Sequence, residues 1–240
     1  HINTISNNKS DLKVISHRYL DRKQLVKIKY KNNIYTFTTS LIGKIQIKNI
    51  LMAILAAKKS GLDFEKIINV INKVKPVNGR LENIGKIKNK SCVILDYAHT
   101  PEALKTCIQN IKEQFKEKKI SIVFGCGGDR DKKKRSKMGK IANDYCDKIY
   151  LTDDNPRKED PKKIRLEIKK AIKKSKLEEI PSREIAISKA IMNLNTGDVL
   201  IVAGRGHESI QDYGSFKKNF SDRYFIIKNI KKKINFYQKI

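Results

Sequence analysis

Tryptophan is absent from this 240-residue chain, and aromatic residues together make up only 7% of it. Base-stacking surfaces are built on aromatic platforms, and the Tyr and Phe residues here mostly read as core. No zinc finger or basic zipper is present either. The four cysteines, Cys92, Cys107, Cys126 and Cys146, are widely spaced and form no CxxC pair. That argues against a zinc site and gives no sign of a disulfide framework. No apolar run is long enough to cross a bilayer and no signal peptide is evident, so a cytoplasmic protein is expected. Acidic residues are scarce: 25 Asp and Glu face 53 Lys and Arg, for a net charge of +28. Because the lysines are spread over nearly every helix-like segment and accompany abundant Ile and Asn, background compositional drift explains the charge best. A polyanionic ligand such as a nucleotide comes next, and a nucleic acid last.

Several familiar motifs are also missing. There is no G-x-G-x-x-G and no G-x-x-x-x-G-K-[ST] phosphate loop. Neither a nucleophile elbow with its Ser/His/Asp order nor H-E-x-x-H occurs, which disfavours covalent hydrolysis and zinc proteolysis.

What the chain does contain is a glycine-rich stretch, GCGGDRDKKKR at 125–135, entered from the apolar run ISIVF. Clustered glycines imply tight turns or close backbone approach. Before it, residues 1–40 hold short β-like pieces at 12–16, 24–31 and 33–39 with few neighbours to pair with. They read as a small β-lobe or the tail of something larger. A helix starting near Asn49, with Leu51, Ile54 and Leu55 on one face, reaches a C-cap at Gly61. A second helix is expected at 62–74, ended by Pro76, and 77–85 reads as a connector carrying Arg80. Strands at 92–96, 120–124, 148–152, 177–181 and 198–204 then alternate with helices at 101–115, around 136–146, at 161–174 and at 182–194. This is the pattern of βαβ units in an α/β fold with a mainly parallel sheet. Residues 216–230 resist assignment, and His1 and His17 receive no role.

In such a sheet the loops at the carboxyl ends of the strands share one edge. Those loops are DYAHTPEA (96–103), the glycine-rich stretch, TDDNPRKEDP (152–161) and AGRGHESIQD (203–212). Asp96 either caps the helix at Pro101 or, with His99, holds a ribose, a phosphate or a metal-bound water. Arg80 is either a solvated charge or a phosphate clamp. Arg130 and Arg157 offer the planar fork that pairs with carboxylate or phosphate. Asp154 and Asn155 lie beside Arg157, and Glu208 suits an ammonium group. Partners of both signs in one crevice point to a zwitterionic amino acid.

VNGRLE, DYAHTPEAL, FGCGGDRDKKKR, TDDNPR and AGRGHE, in this order and spacing, resemble the Mur ligases of peptidoglycan synthesis, and within them the branch that adds the third residue of the peptide stem. The resemblance runs from about Leu41 through Glu208. It implies the last part of a central α/β ATPase domain at 1–77, and at 78–240 a C-terminal Rossmann-like domain, a mainly parallel sheet with helices on both faces. The family's phosphate loop, its carbamylated lysine and its metal ligands would lie upstream, so this chain alone is expected to be inactive. By the same resemblance Asn49, Arg80 and Asp96 contact ATP, with Arg80, Asp96 and His99 in catalytic positions. Arg130, Asp154, Asn155, Arg157, Gly204 and Glu208 surround the incoming amino acid, and the DNPR pattern at 154–157 is that of enzymes using meso-diaminopimelate. The family's Gly-Lys-Gly-His-Glu appears as GRGHE, and Arg205 keeps the charge, a change expected to matter little. The implied reaction is ATP- and Mg2+-dependent amide formation on UDP-N-acetylmuramoyl-L-alanyl-D-glutamate. The implied protein is a monomer when full length, with small-molecule partners, no nucleic acid and no membrane insertion. The rival readings are a basic nucleic-acid-binding module and a related amino-acid ligase with another substrate.

Overall fold

A computed structural model describes residues 12–87 and 90–237; His1 lies outside them. The chain divides into two compact units, His1–Pro76 and Val77–Ile240, with Val77 in the second.

In the first unit, β1 (Leu12–Leu20), β2 (Lys23–Tyr30) and β3 (Asn33–Thr39) form an antiparallel sheet in that order. Period-two alternation puts Val26 and Ile28 on its buried face, where they meet α1 (Lys44–Lys59) and α2 (Phe64–Val70). Helix α1 begins five residues before Asn49, and a 3-10 turn (Ile71–Lys73) replaces the last part of the second expected helix. Beyond α1 the Gly61 and Leu62 amides bond the Lys58 and Ala57 carbonyls, the paired bonds of a Schellman ending.

The second unit is a six-stranded sheet in the order β4-β5-β9-β6-β7-β8. Its strands are β4 (Glu82–Lys86), β5 (Cys92–Asp96), β6 (Ile120–Phe124), β7 (Lys148–Leu151), β8 (Leu177–Glu179) and β9 (Val199–Ala203). All neighbours pair in parallel except β4 with β5. The expected connector at 77–85 thus contains the start of an antiparallel edge strand, which has too little alternation to show in sequence. Every residue of β5 and β9 is buried, as parallel strands covered on both faces require.

Crossover handedness explains where the helices lie. From β5 the chain steps across the sheet through α3 (Pro101–Gln114), α4 (Lys133–Tyr145) and α5 (Pro161–Lys169) to β8, then returns to β9 through α6 (Arg183–Met192). Right-handed connections running in opposite directions must use opposite faces. Accordingly Val93, Leu95, Leu200 and Val202 pack against α6 and against α7 (Asp222–Tyr237). The unassigned stretch at 216–230 holds β11 (Lys217–Asn219), which pairs with β10 (Ile210–Asp212) of the preceding loop in a small hairpin, and then the first part of α7. Among the described residues no helix is long and apolar enough to cross a membrane.

One buried ion pair ties α6 to α7. Arg183 and Asp222, both side chains fully buried, meet through two bonds of 2.8 and 2.7 Å, and Arg183 also donates to the Ala203 carbonyl at 2.9 Å. Burial disfavours the guanidinium charge, but the Asp222 carboxylate more than compensates, so the Arg183 pKa moves up. Removing one partner of such a pair costs about 3–5 kcal/mol, whereas an apolar replacement of both is far milder. Arg183→Ala should therefore lower the free energy of unfolding in urea by that amount, and the double variant Arg183→Met/Asp222→Leu by much less. Equal losses in the two proteins would contradict this account.

Candidate functional site

A cleft of about 480 Å³ lies at the carboxyl edge of the parallel strands in the second unit. It collects His99, Arg130, Asp154, Asn155, Arg157, Gly204 and Glu208, residues spread over more than a hundred positions of sequence. Arg80, Asp96 and Asn49 are not among its lining residues. Asn49 is exposed on α1 of the first unit and donates to Gln46 Oε1 at 3.0 Å.

Two loops make one wall by lying against each other. The Gly128 amide donates to the Asn155 carbonyl at 2.9 Å, and Arg157 Nη1 donates to the Gly128 carbonyl at 2.8 Å. A Cβ at Gly125 would strike the Thr152 carbonyl and one at Gly128 the Pro156 carbonyl. These glycines are therefore explained by loop packing. Glu159 pins the same wall, accepting from the Asp129 amide at 2.6 Å and from Arg135 Nη2 at 2.9 Å. Arg135 is fully buried, reaches Glu167 Oε2 at 3.0 Å and the Gly127 carbonyl at 3.4 Å, and so supports the glycine-rich stretch from beneath. Asp129 and Arg157, with φ of 51° and 53°, both hold the left-handed backbone that non-glycine residues rarely adopt.

The opposite wall is the turn after β9. Asn155 is buried and uses both ends of its amide: Nδ2 donates to Glu208 Oε2 at 2.9 Å, and Oδ1 accepts from the Asp212 amide at 2.9 Å. Glu208 Oε1 accepts from the Tyr97 hydroxyl at 3.4 Å. Gly204 turns the chain at φ 110°, and a Cβ there would sit 2.8 Å from Asp154 Oδ2. Arg205, expected to matter little, is fully buried and donates from Nη2 to the Ile210 and Phe220 carbonyls at 2.7 and 3.2 Å. Burial, then the neighbouring Arg183 cation, lowers its pKa.

Asp96 does not cap α3; Thr100 does, accepting from the Ala103 amide at 3.3 Å. The Asp96 carboxylate instead accepts from the Leu81 amide at 2.7 Å and the Ala98 amide at 2.9 Å, anchoring the segment that carries Arg80. Burial raises its pKa against the pull of those two amides. Arg80 itself is exposed, with its guanidinium carbon 4.7 Å from the Tyr97 ring centroid. His99 donates from Nδ1 to the Tyr97 carbonyl at 2.9 Å and sets its ring edgewise on Tyr97 at 4.7 Å. Tyr97, Glu159 and Arg135 were not singled out from sequence. Tyr97 sits between two residues that were, and Glu159 lies two positions after Arg157, so proximity to a candidate was the available signal.

The second unit is thus an α/β domain with a cleft lined by side chains of both charges at the carboxyl edge of its parallel strands. The model of the family described as "Mur ligase, glutamate ligase domain" matches residues 79–206, and the chain belongs to the Mur ligase family. It is 42% identical over 221 residues to the UDP-N-acetylmuramoyl-L-alanyl-D-glutamate–2,6-diaminopimelate ligase of Rickettsia felis, covering 92% of this chain and 41% of that one. To the ligase of the same name from Buchnera aphidicola it is 42% identical over 196 residues, covering 81% and 38%. A solved UDP-N-acetylmuramoyl-L-alanyl-D-glutamate–2,6-diaminopimelate ligase superposes with a TM-score of 0.71 at 28% identity, over 97% of this chain and 47% of that one. UDP-N-acetylmuramate-alanine ligase from Thermotoga maritima shares the fold, with a TM-score of 0.64 at 17% identity, over 97% and 47%. The chain thus spans less than half the length of the relatives it matches.

The loop pin should be visible in acid. Hydrogen bonds from Arg135, helped by the Asp129 amide, hold the Glu159 pKa down from 4.5 to about 2. A depressed carboxylate stabilises the fold above its unfolded pKa and loses that contribution as pH falls through the folded value. The stability gap between wild type and Glu159→Gln should be complete above pH 4.5 and close as pH falls toward about 2. A gap independent of pH across that window, followed by thermal unfolding, would show that the charge does not hold the loops.

Proposed function

We propose that this chain is the carboxyl-terminal part of an ATP-dependent ligase that joins meso-diaminopimelate to the γ-carboxylate of UDP-N-acetylmuramoyl-L-alanyl-D-glutamate in peptidoglycan precursor synthesis. The observation that carries the reading is one cleft lined by Arg130, Arg157, Asn155 and Glu208, in a chain 42% identical to ligases of that name. Residues 1–77 are then the end of a central ATP-binding domain and 78–240 the amino-acid-binding domain.

Diaminopimelate is a doubly zwitterionic chain, and its carboxylates would pair with the guanidinium groups of Arg157 and Arg130. Its ammonium group would meet Glu208, which Asn155 and Tyr97 already orient. Asp154 and the Gly204 turn shape the floor between them. ATP supplies the phosphoryl group that turns the γ-carboxylate into an acyl phosphate open to attack by an amine. No nucleophilic side chain is required for that chemistry, so the protein's task is to hold charged ligands in register and to keep water away. Arg80 suits a phosphate because it is exposed, with its guanidinium over the Tyr97 ring and Asp96 fixing the backbone beside it. His99 is held by the same Tyr97, through its carbonyl and its ring. Asn49 is the adenine-side residue of this reading. Among the described residues no group of three or more His, Cys, Asp or Glu side chains could hold a metal ion. On this reading the reaction runs in the cytoplasm, and the full-length enzyme acts as a monomer.

Arg157→Ala in the full-length protein tests the assignment. A hydrogen bond to a charged group contributes about 1.5–3 kcal/mol, and each 1.4 kcal/mol is about tenfold. The KM for diaminopimelate should rise about 10- to 100-fold while that for ATP stays within about twofold; an unchanged diaminopimelate KM would sink the reading. Residues 1–240 assayed alone should form no product from ATP, and clear turnover would refute the division of labour.

A further inference from the structure

Tyr97 touches both halves of the machinery just described, yet no family motif role and no sequence argument gave it one. It follows the last residue of β5 and is half buried at the rim of the cleft. Its hydroxyl reaches Glu208 Oε1 at 3.4 Å, on the carboxylate whose other oxygen takes Asn155. Its ring carries the Arg80 guanidinium at 4.7 Å, has His99 against its edge at 4.7 Å and lies 5.4 Å from His207. A phenol fixed by two aromatic neighbours is a rigid part with two distinct working surfaces. Its hydroxyl orients a carboxylate, and its face attracts a cation.

We propose that Tyr97 is a positioning residue that aligns the amino-acid cleft with the phosphate-seeking arginine, setting Glu208 through its hydroxyl and Arg80 through its ring. The proposal rests on the ligase reading above. Because the two contacts use different parts of one side chain, they separate by substitution. Tyr97→Phe keeps the ring and removes the hydroxyl, whereas Tyr97→Leu removes both. A residue that merely filled space would show no such division, since Phe would behave as wild type or both variants would fail alike.

The test uses both variants in the full-length protein, with KM for diaminopimelate and for ATP measured separately. Tyr97→Phe should raise the diaminopimelate KM about three- to tenfold, as expected for one modest hydrogen bond, and leave the ATP KM unchanged. Tyr97→Leu should raise both. An unaltered diaminopimelate KM in Tyr97→Phe, or a parallel rise in both constants, overturns the proposal. A second readout does not depend on turnover: the Arg80 Nε proton should show an upfield ring-current shift by NMR in wild type and Tyr97→Phe, lost in Tyr97→Leu. Absence of the shift in wild type, or its survival in Tyr97→Leu, also overturns it. A wild-type protein that forms no product overturns the ligase reading instead, and the Arg80 signal then decides the fate of Tyr97 by itself.

Discussion

The cleft exists because two loops approach each other more closely than side chains would allow. Gly125 and Gly128 let the backbone of the first loop lie on residues 152–156 of the second. The bonds from the Gly128 amide to Asn155 and from Arg157 to the Gly128 carbonyl then turn two strand-end loops into one wall. Arg130, Asp154, Arg157 and Glu208 come from that wall or from the turn after β9, and Glu102 and Lys137 line the cleft from α3 and α4. Asn155 bridges the wall and the turn by holding Glu208 with one end of its amide and the β10 backbone with the other.

Such an arrangement gathers charge in a small volume, and the protein compensates from below. Arg135, Arg183 and Arg205 are all fully buried, and each serves the site without lining it. Arg135 steadies the glycine-rich loop through Glu159 and Glu167, Arg183 fixes α7 through Asp222, and Arg205 gathers the carbonyls of the hairpin that follows the β9 turn. Burying a guanidinium is costly unless it is paired and hydrogen-bonded. Its repeated use here indicates that loop geometry, more than packing area, is what these side chains secure.

The parallel core was legible in sequence because most of its strands are short, largely apolar runs separated by helices of ordinary length, and β5 and β6 fall where their runs begin and end. The convergence of the site residues followed from topology, since parallel strands must end at one edge. Less visible were β4, whose ENIGK pairs only at an antiparallel edge, and the β10–β11 hairpin, too short for alternation to register. Of the two readings of Asp96, the structure removes the helix cap: Thr100 stands closer to the helix start, which frees Asp96 to hold the Leu81 amide fifteen residues back. Buried partnerships such as Arg183 with Asp222 join residues 39 apart, and no local pattern announces them.

The central claim is that this cleft selects an amino acid with carboxylates at both ends. Lysine has the same reactive amine region but lacks the distal carboxylate. The most direct measurement is a competition in which the full-length protein receives ATP, UDP-N-acetylmuramoyl-L-alanyl-D-glutamate and equal concentrations of meso-diaminopimelate and L-lysine, with the products separated and weighed by mass spectrometry. Leaving a guanidinium unpaired costs about 1.5–3 kcal/mol, so the account predicts diaminopimelate in the product over lysine by at least about tenfold. Comparable incorporation of the two amino acids would contradict it.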